Sequence, residues 1–206
     1  MLETLDISQM VFTFLVVMFS IILHEVAHGY AAYIQGDETA LRAGRLTLNP
    51  LPHIDMMGSV IVPLLAFSTI GTFFGWAKPV PYNVHNIRTK LGHAFVAAAG
   101  VMTNLMIAFL VGVSLVFFAS QGLVTQALAD GLMTVIMVNV SLAFFNLIPV
   151  PPFDGMAIIQ ALFPRIRITT AFVYSPLYLV GAILVASVLY TKCMPYIVAL
   201  VLALLS

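Results

Sequence analysis

Long runs without a charged residue constrain this chain more than any other feature. They lie at 7–24, 56–77, 91–129, 131–153, 168–191 and 193–206. Only 8% of the residues carry a formal charge and 62% are hydrophobic, whereas about 25% are charged in an average soluble domain. A water-soluble globule of this composition would expose apolar patches far larger than monomers tolerate. Most of the chain is therefore expected to lie in lipid.

The charge balance and the cysteine content exclude a nucleic-acid binder and any site built from several cysteines. Eight basic residues balance eight acidic ones, so the chain lacks the positive surface expected of a nucleic-acid binder. Cys193 is the only cysteine, which rules out an intramolecular disulfide and a cysteine-based zinc motif. We expect Cys193 to be a small packing residue.

The runs predict an all-α polytopic membrane protein with five to six hydrophobic segments, in one membrane-embedded domain over residues 1–206. A spanning helix needs about 20 apolar residues, so the first, third, fourth and fifth runs are long enough. The sixth is short unless it continues the fifth, which leaves one or two helices over 168–206. Glu3 and Asp6 stand where a cleavable signal has basic residues, so the first span is expected to be retained.

The run at 56–77 is interrupted by three glycines and a proline, which is unusual for a spanning helix. If it enters and leaves on one face, seven basic residues share that face and only Lys192 lies opposite. If it crosses fully, the split is five to three. Cytoplasmic loops carry the excess of Lys and Arg, so we expect a re-entrant segment and an external amino terminus. Non-helical backbone at that depth needs covering protein or water, which suggests a wet intramembrane site.

The polar stretches 36–55 and 78–90 are rich in Pro, Asn and Gly and predict structured loops on the cytoplasmic face. Short β-strands are expected around Lys78–Pro81. An extended segment there could pair with an unwound substrate by strand addition. The loop and span-entrance histidines His53, His85 and His93 are expected to form interfacial hydrogen bonds and not to bind metal.

His24-Glu25-Val26-Ala27-His28 is an H-E-x-x-H motif in an otherwise uncharged segment. On a helix, His24 and His28 share one face about 6 Å apart along the axis, where two imidazoles can bind one metal ion. Glu25 lies one step round, in the position of a general base toward a zinc-activated water. An ionisable residue in a membrane segment costs roughly 2.5 kcal/mol or more, which disfavours a purely structural role.

Asp154 is the best candidate for a third metal ligand, because a catalytic zinc usually has three protein ligands. It is the only charged residue between Asp130 and Arg165, and it follows prolines at 149, 151 and 152. These prolines end the preceding helix, and we expect Asp154 to cap the next short helix beside Gly155. A plain helix cap at the interface is the alternative role.

The expected topology brings these residues together. With a re-entrant segment, the first and fourth runs both pass from outside to inside. Their late ends then share the cytoplasmic side, where His24, His28 and Asp154 can meet at one metal ion. A fully crossing segment at 56–77 would place Asp154 on the opposite face.

The H-E-x-x-H motif, together with N-x-x-P-x-P-x-x-D-G at 146–155, resembles the site-2 protease family of intramembrane zinc metalloproteases, peptidase family M50. Segments 49–58 and 75–83 resemble loops of its small bacterial members. The resemblance covers most of the chain, which has no room for the PDZ domain of larger members.

This resemblance implies one zinc ion per chain, bound by His24, His28 and Asp154, with Glu25 as general base. It also implies that Asn104 and Asn146 contact the substrate backbone or the developing oxyanion. In the family, Gly-Pro often precedes the asparagine that corresponds to Asn104, whereas this chain has Gly100-Val101-Met102-Thr103 before it.

The implied activity is hydrolysis of a peptide bond within or near the transmembrane segment of another membrane protein. An anti-sigma factor or a signal-peptide remnant would suit as substrate. The implied location is the inner membrane of a bacterial cell, with the active site toward the cytoplasm and the lipid bilayer as the other partner.

The alternative from another functional class is a membrane metal transporter or sensor that uses the same cluster. It would need polar residues along both halves of the membrane, and the outer halves of these spans have almost none. A zinc peptidase with a glutamate as third ligand is disfavoured, because Glu3 and Glu38 are the only other glutamates and neither lies on a downstream helix. An intact Glu25 argues against an inactive relative.

Overall fold

The computed structural model describes residues 7–62, 64, 77–166 and 175–205, and the secondary structure of this part is helical. The α-helices are α1 (Ile7–Ile34), α2 (Thr39–Arg42), α3 (Lys90–Ser120), α4 (Gln126–Leu147), α5 (Asp154–Leu162) and α6 (Pro176–Leu205). Short 3₁₀ turns lie at Leu51–His53 and Val84–Asn86, and a π-helix at Met56–Ile61.

Four helices, α1, α3, α4 and α6, are long and apolar enough to cross a membrane. The 28 residues of α1 extend about 42 Å at 1.5 Å per residue, which exceeds the roughly 30 Å of a hydrocarbon core. The predicted all-helical integral membrane protein is confirmed. From Pro176 onward the last two uncharged runs form one helix, because α6 continues past Lys192 and through Pro195.

The directions of three helices follow from polar contacts along their length. Gln9 and Ser20 of α1 contact Thr134 and Asn139 of α4, with separations of 3.3 and 3.0 Å, so α1 and α4 run parallel. His24 and the later His28 contact Asn104 and the earlier Val96 of α3, so α3 runs antiparallel to α1. The carboxyl-terminal ends of α1 and α4 therefore lie on the same side of the bundle, as the sequence predicts.

His53 and Lys78, which stand on either side of the run at 56–77, lie next to each other. The Lys78 N–H donates to the His53 carbonyl oxygen at 2.8 Å. The alternative of a full crossing is therefore wrong, since its two ends would lie on opposite faces. The predicted re-entrant path itself falls largely on residues 63 and 65–76, which lie outside the described residues.

The strands predicted around Lys78–Pro81 do not form, because residues 77–83 have no regular secondary structure. Asn83 is extended, and Pro79, Pro81 and the residues before them favour extended backbone, so we describe 77–83 as an extended segment. A strand needs a partner with matching donors and acceptors, and Pro79 and Pro81 have no N–H to offer. The guanidinium of Arg45 binds the carbonyl oxygens of Lys78 and Pro79, at 2.7 and 3.4 Å. Side chains and the backbone contact between Lys78 and His53, and not a neighbouring strand, hold this segment in place.

Helix α1 ends in a Schellman motif that directs the next residue back toward the bundle. Gly36 has a φ of 102°, and the N–H groups of Gly36 and Asp37 donate to the carbonyl oxygens of Tyr33 and Ala32, each at 2.9 Å. Glycine adopts this left-handed conformation without steric cost. The Asp37 side chain is consequently buried, with 0% of its surface exposed.

Asp37 ties the loop before α3 to the end of α1. Its carboxylate accepts hydrogen bonds from the N–H and hydroxyl of Thr39, from the Asn83 N–H at 2.7 Å and from the Asn86 amide at 2.7 Å. Burial alone raises the pKa of Asp37, but these hydrogen bonds outweigh it and hold the pKa below its usual 3.8. The ionised form is therefore the one that stabilises the fold.

Asp37→Asn is expected to destabilise the protein by about 1–3 kcal/mol, because an amide nitrogen then faces hydrogen-bond donors. A carboxylate whose pKa is lowered on folding stabilises the folded state at pH values above its pKa in the unfolded chain. This stabilisation is lost as the pH falls through its pKa in the folded protein. In detergent, the unfolding temperature of the variant should lie below that of the native protein at pH 7. This difference should become smaller below pH 3.8. The matched control is Asp130→Asn at an exposed carboxylate, and an equal loss in both variants would contradict the prediction.

Candidate metal centre

Three predicted ligands converge at one point in the described structure. The Nε2 atoms of His24 and His28 lie 3.1 Å apart, and they lie 3.1 and 3.3 Å from Asp154 Oδ2. Within the described residues, this is the only group of three or more His, Cys, Asp or Glu side chains placed to hold a metal ion. Both imidazoles are buried, with 5% and 7% of each residue exposed.

The other ring nitrogen of each histidine is fixed by an acceptor on α3. His28 Nδ1 lies 2.7 Å from the Val96 carbonyl oxygen, and His24 Nδ1 lies 2.6 Å from Asn104 Oδ1. A carbonyl or amide oxygen only accepts, so each Nδ1 carries a hydrogen and donates it. Each Nε2 is then left with a lone pair directed at the centre of the cluster.

This donor set fits a zinc ion. Two imidazole lone pairs and a carboxylate oxygen face one another at van der Waals distance or less, and Asp154 Oδ2 is buried without a hydrogen-bond partner. Such an arrangement is repulsive unless a proton or a metal cation balances it. Zinc–ligand bonds of about 2.0–2.1 Å at a tetrahedral site separate the ligand atoms by about 3.3 Å, which matches the observed spacing. Two histidines and a carboxylate also form a known catalytic zinc set.

Two glycines allow this close approach. A Cβ atom on Gly100 of α3 would lie 2.5 Å from Nε2 of both His24 and His28. A Cβ on Gly155 would collide with the Leu147 carbonyl, so glycine lets the start of α5 pack against the end of α4. Asp154 is the first residue of α5 and Phe153 holds the cap position, which corrects the prediction that Asp154 caps this helix.

Glu25 is held by the extended segment within 77–83. Its Oε2 accepts a hydrogen bond of 2.8 Å from the Val80 N–H, which is the one N–H available between Pro79 and Pro81. Val80 packs close to Gly29, where a Cβ atom would lie 2.8 Å from its Cγ1. The H-E-x-x-H helix and the segment are therefore in direct contact beside the cluster.

The two predicted substrate-binding asparagines lie in different surroundings. Asn104 has 0% of its surface exposed, and its amide binds His24 on one side and Asn139 on the other. Its amide is enclosed by the protein in this structure, and the predicted contact of Asn104 with substrate stays a prediction. Asn146 lies in the last turn of α4, where its amide nitrogen donates to the Leu142 carbonyl at 3.0 Å, and its substrate role stays a prediction.

The remaining histidines do not join the cluster described by the structure. His53 is buried and its Nε2 donates to the Thr47 carbonyl oxygen at 2.9 Å, whereas His85 is exposed and His93 is half-buried in the first turn of α3.

Sequence reasoning missed two buried polar residues next to the cluster, Ser20 and Asn139. Asn139 Nδ2 donates to Ser20 Oγ at 3.0 Å, and Asn104 Nδ2 donates to Asn139 Oδ1 at 2.9 Å. One signal was present, because Ser20 precedes His24 by four residues and so shares its helix face. Asn139 has no such spacing to a motif and could be identified only from the packed structure.

Comparison with known proteins gives a consistent result. The model of Peptidase family M50 matches residues 120–188, which include Asp154. A Bacillus subtilis protein named Putative zinc metalloprotease YwhC is 36% identical over 177 residues, covering 82% of this chain and 78% of that protein. The chain belongs to peptidase family M50. The resemblance seen in the motifs of this M50 protein is thereby confirmed.

Two mycobacterial relatives carry the name Putative zinc metalloprotease Rip2. The one from Mycolicibacterium smegmatis is 28% identical over 178 residues, covering 86% of this chain and 66% of the relative. The one from Mycobacterium tuberculosis is 31% identical over 166 residues, covering 76% of this chain and 58% of the relative. The chain thus spans less than two thirds of the length of these two relatives. No solved structure matches the chain.

Gly100→Ala is expected to weaken zinc binding by this M50 protein by tenfold or more. The new Cβ would overlap ring atoms of His24 and His28, and neither ring can move away without breaking its Nδ1 hydrogen bond. Competition with a chromophoric chelator measures the affinity. Gly181→Ala on α6 is the control, because nothing lies within 4 Å of its Cβ position, and equal affinities in the two variants would contradict the prediction.

Proposed function

We propose that this M50 protein is an intramembrane zinc protease that hydrolyses a peptide bond within or near the transmembrane segment of a membrane protein. The observation that carries the proposal is the convergence of two imidazole lone pairs and the unpartnered Asp154 oxygen inside a bundle of membrane-spanning helices. The relatives named as zinc metalloproteases support the reaction class. Single-span proteins such as anti-sigma factors or signal-peptide remnants are the proposed substrates.

The depth of the cluster supports cleavage inside the bilayer. His24 lies ten residues before the end of α1, or about 15 Å along the helix axis. Five basic residues follow at the same end of the bundle, before or at the start of α3: Arg42, Arg45, Lys78, Arg88 and Lys90. The positive-inside rule makes this end cytoplasmic. The proposed site is therefore below the cytoplasmic surface of a bacterial inner membrane.

The chemistry is assigned to the residues as follows. His24, His28 and Asp154 would hold one zinc ion, which polarises the scissile carbonyl and lowers the pKa of the attacking water. Glu25 takes a proton from that water and delivers it to the leaving amine. The Val80 N–H fixes Oε2 of Glu25, so the carboxylate has a set orientation before substrate arrives.

The substrate has to be unwound before it can react, because a transmembrane helix hides its peptide bonds in internal hydrogen bonds. The extended segment within 77–83 is the predicted partner for strand addition. Its geometry limits that role, because Pro79 and Pro81 lack N–H donors and the Val80 N–H is bound to Glu25. We therefore propose that this segment acts mainly by orienting Glu25.

A metal transporter or sensor remains the alternative class. The polar residues next to the cluster, Asn104 and Asn139, are fully buried and hydrogen-bonded to each other and to the protein. These two residues hold the proposed metal ligand His24 in place. None of their contacts offers a second site to which a metal ion could move through the membrane. The described structure gives this alternative no specific support.

Glu25→Gln is expected to abolish cleavage, with a fall of about 10²–10⁴-fold, because an amide cannot accept the proton from water. The assay uses purified protein in lipid vesicles with a panel of single-span reporters, and zinc content is measured beside it. The native chain should cut at least one reporter, and both forms should hold one zinc per chain. Glu38→Gln, at an exposed carboxylate paired with Arg42, is the matched control.

Two results would contradict this assignment. Cleavage by Glu25→Gln at the native rate removes Glu25 from the mechanism. Failure of the native chain to cut any reporter while it holds zinc would turn the proposal toward the transporter or sensor class.

Val80→Pro is expected to lower kcat by about tenfold or more while zinc stays bound. It removes the N–H that orients Glu25, and a hydrogen bond to a charged group contributes about 1.5–3 kcal/mol, or roughly one to two powers of ten in rate. Val80→Ala is the control, since it shortens the side chain and keeps the N–H. If both variants lose the same activity, packing and not the hydrogen bond is the cause.

A further inference from the structure

Asn139 lies in the middle of α4 and is completely buried, with 0% of its surface exposed. Within the described residues, none of its hydrogen bonds goes to His24, His28 or Asp154. Its amide nitrogen donates to the Val135 carbonyl oxygen at 2.9 Å and to Ser20 Oγ at 3.0 Å. Its amide oxygen accepts a hydrogen bond of 2.9 Å from the amide nitrogen of Asn104.

These contacts determine the orientation of the Asn139 and Asn104 amides, that is, which neighbour faces the nitrogen and which faces the oxygen. The Val135 carbonyl can only accept, so the end of Asn139 that faces it must be the nitrogen. The oxygen of Asn139 then faces Asn104, which must present its own nitrogen there. The Ser20 carbonyl oxygen lies 3.5 Å from the same Asn104 nitrogen, a long contact that favours the same orientation only weakly and leaves Asn139 as the main partner.

The oxygen of Asn104 is consequently turned toward His24. An oxygen at 2.6 Å from Nδ1 requires a hydrogen on Nδ1, and neutral imidazole carries only one. The lone pair of His24 must then be on Nε2, the atom that faces His28 and Asp154. A backbone carbonyl on α4 thus sets the tautomer of a metal ligand on α1 through two asparagine amides.

We propose that Asn139 is a positioning residue for zinc binding, which holds His24 in the tautomer that binds metal by fixing the orientation of Asn104. The inference rests on the proposed zinc site. Groups that orient a metal-binding histidine typically change metal affinity by about 10–100-fold when removed. Val96 has the corresponding position for His28, but its carbonyl is part of the backbone and cannot be inverted.

Two substitutions of Asn139 separate positioning from ordinary helix packing. Asn139→Leu keeps the approximate size and removes the acceptor, so Asn104 can rotate and offer its nitrogen to His24. Asn139→Asp keeps an oxygen toward Asn104 in either protonation state, so the tautomer of His24 is preserved. Ser20→Ala removes one acceptor, but the Val135 carbonyl still orients Asn139. The control on the same helix is Ser141→Ala, whose hydroxyl contacts Tyr190 on α6.

Zinc affinity is measured by chelator competition on the purified proteins, with thermal unfolding of the zinc-free forms beside it. Asn139→Leu should bind zinc at least tenfold more weakly, whereas Asn139→Asp, Ser20→Ala and Ser141→Ala should stay within threefold of the native affinity. Native affinity in Asn139→Leu, or losses in all four variants that follow their thermal stability, would overturn the inference. If the native chain itself binds no zinc, the proposed function fails and this inference fails with it.

A second measurement needs no variant of Asn139. Nitrogen-15 NMR of the histidine-labelled, zinc-free protein reports which ring nitrogen is protonated, with the His24 signal assigned by its loss in His24→Gln. Nδ1 of His24 should carry a hydrogen. An unprotonated Nδ1 would overturn the inference even where Asn139→Leu does not fold.

Discussion

The mutual repulsion of three buried electron-pair donors, and its relief by a cation, is the interaction on which the site depends. Nε2 of His24, Nε2 of His28 and Oδ2 of Asp154 lie within 3.3 Å of one another among helices whose outer surfaces are apolar. In lipid, water cannot replace a missing partner. Much of the surrounding structure, from Gly100 to the Asn104–Asn139 pair, serves to hold these atoms together.

The loops near the carboxyl-terminal end of α1 act on the second part of the site. The buried carboxylate of Asp37 and the guanidinium of Arg45 hold the backbone on either side of Val80, and Val80 in turn binds Glu25. The proposed zinc ligands and the proposed general base are thus positioned by separate sets of contacts. This separation makes it possible to disturb the orientation of the base while the metal stays bound.

The residues with a fixed chemical spacing could be predicted from sequence. H-E-x-x-H places two imidazoles on one helix face, and an isolated Asp154 after three prolines is a rare feature in a membrane segment. Residues that depend on packing could not be predicted in the same way. The proposed role of Asn139 follows from the backbone carbonyl that lies beside its amide. The enclosure of Asn104 between His24 and Asn139 is likewise visible only in the packed structure.

The error about the predicted strands has a similar cause. The extended residues around Val80 have strand-like composition, but a strand requires a partner that sequence pattern does not specify. Lys192 divides the last apolar run, yet α6 continues because a long lysine side chain can extend toward the membrane surface from within a helix. The predicted path of 56–77 is supported at its two ends, where His53 and Lys78 meet.

The most direct test of the central claim is zinc K-edge X-ray absorption spectroscopy on the purified protein in lipid, with zinc measured per chain. The account predicts one zinc ion with only nitrogen and oxygen neighbours at about 2.0–2.1 Å, two of them imidazoles, and loss of one imidazole in His28→Ala. A sulfur neighbour, fewer than two imidazoles, or a spectrum unchanged by His28→Ala would show that zinc is bound elsewhere.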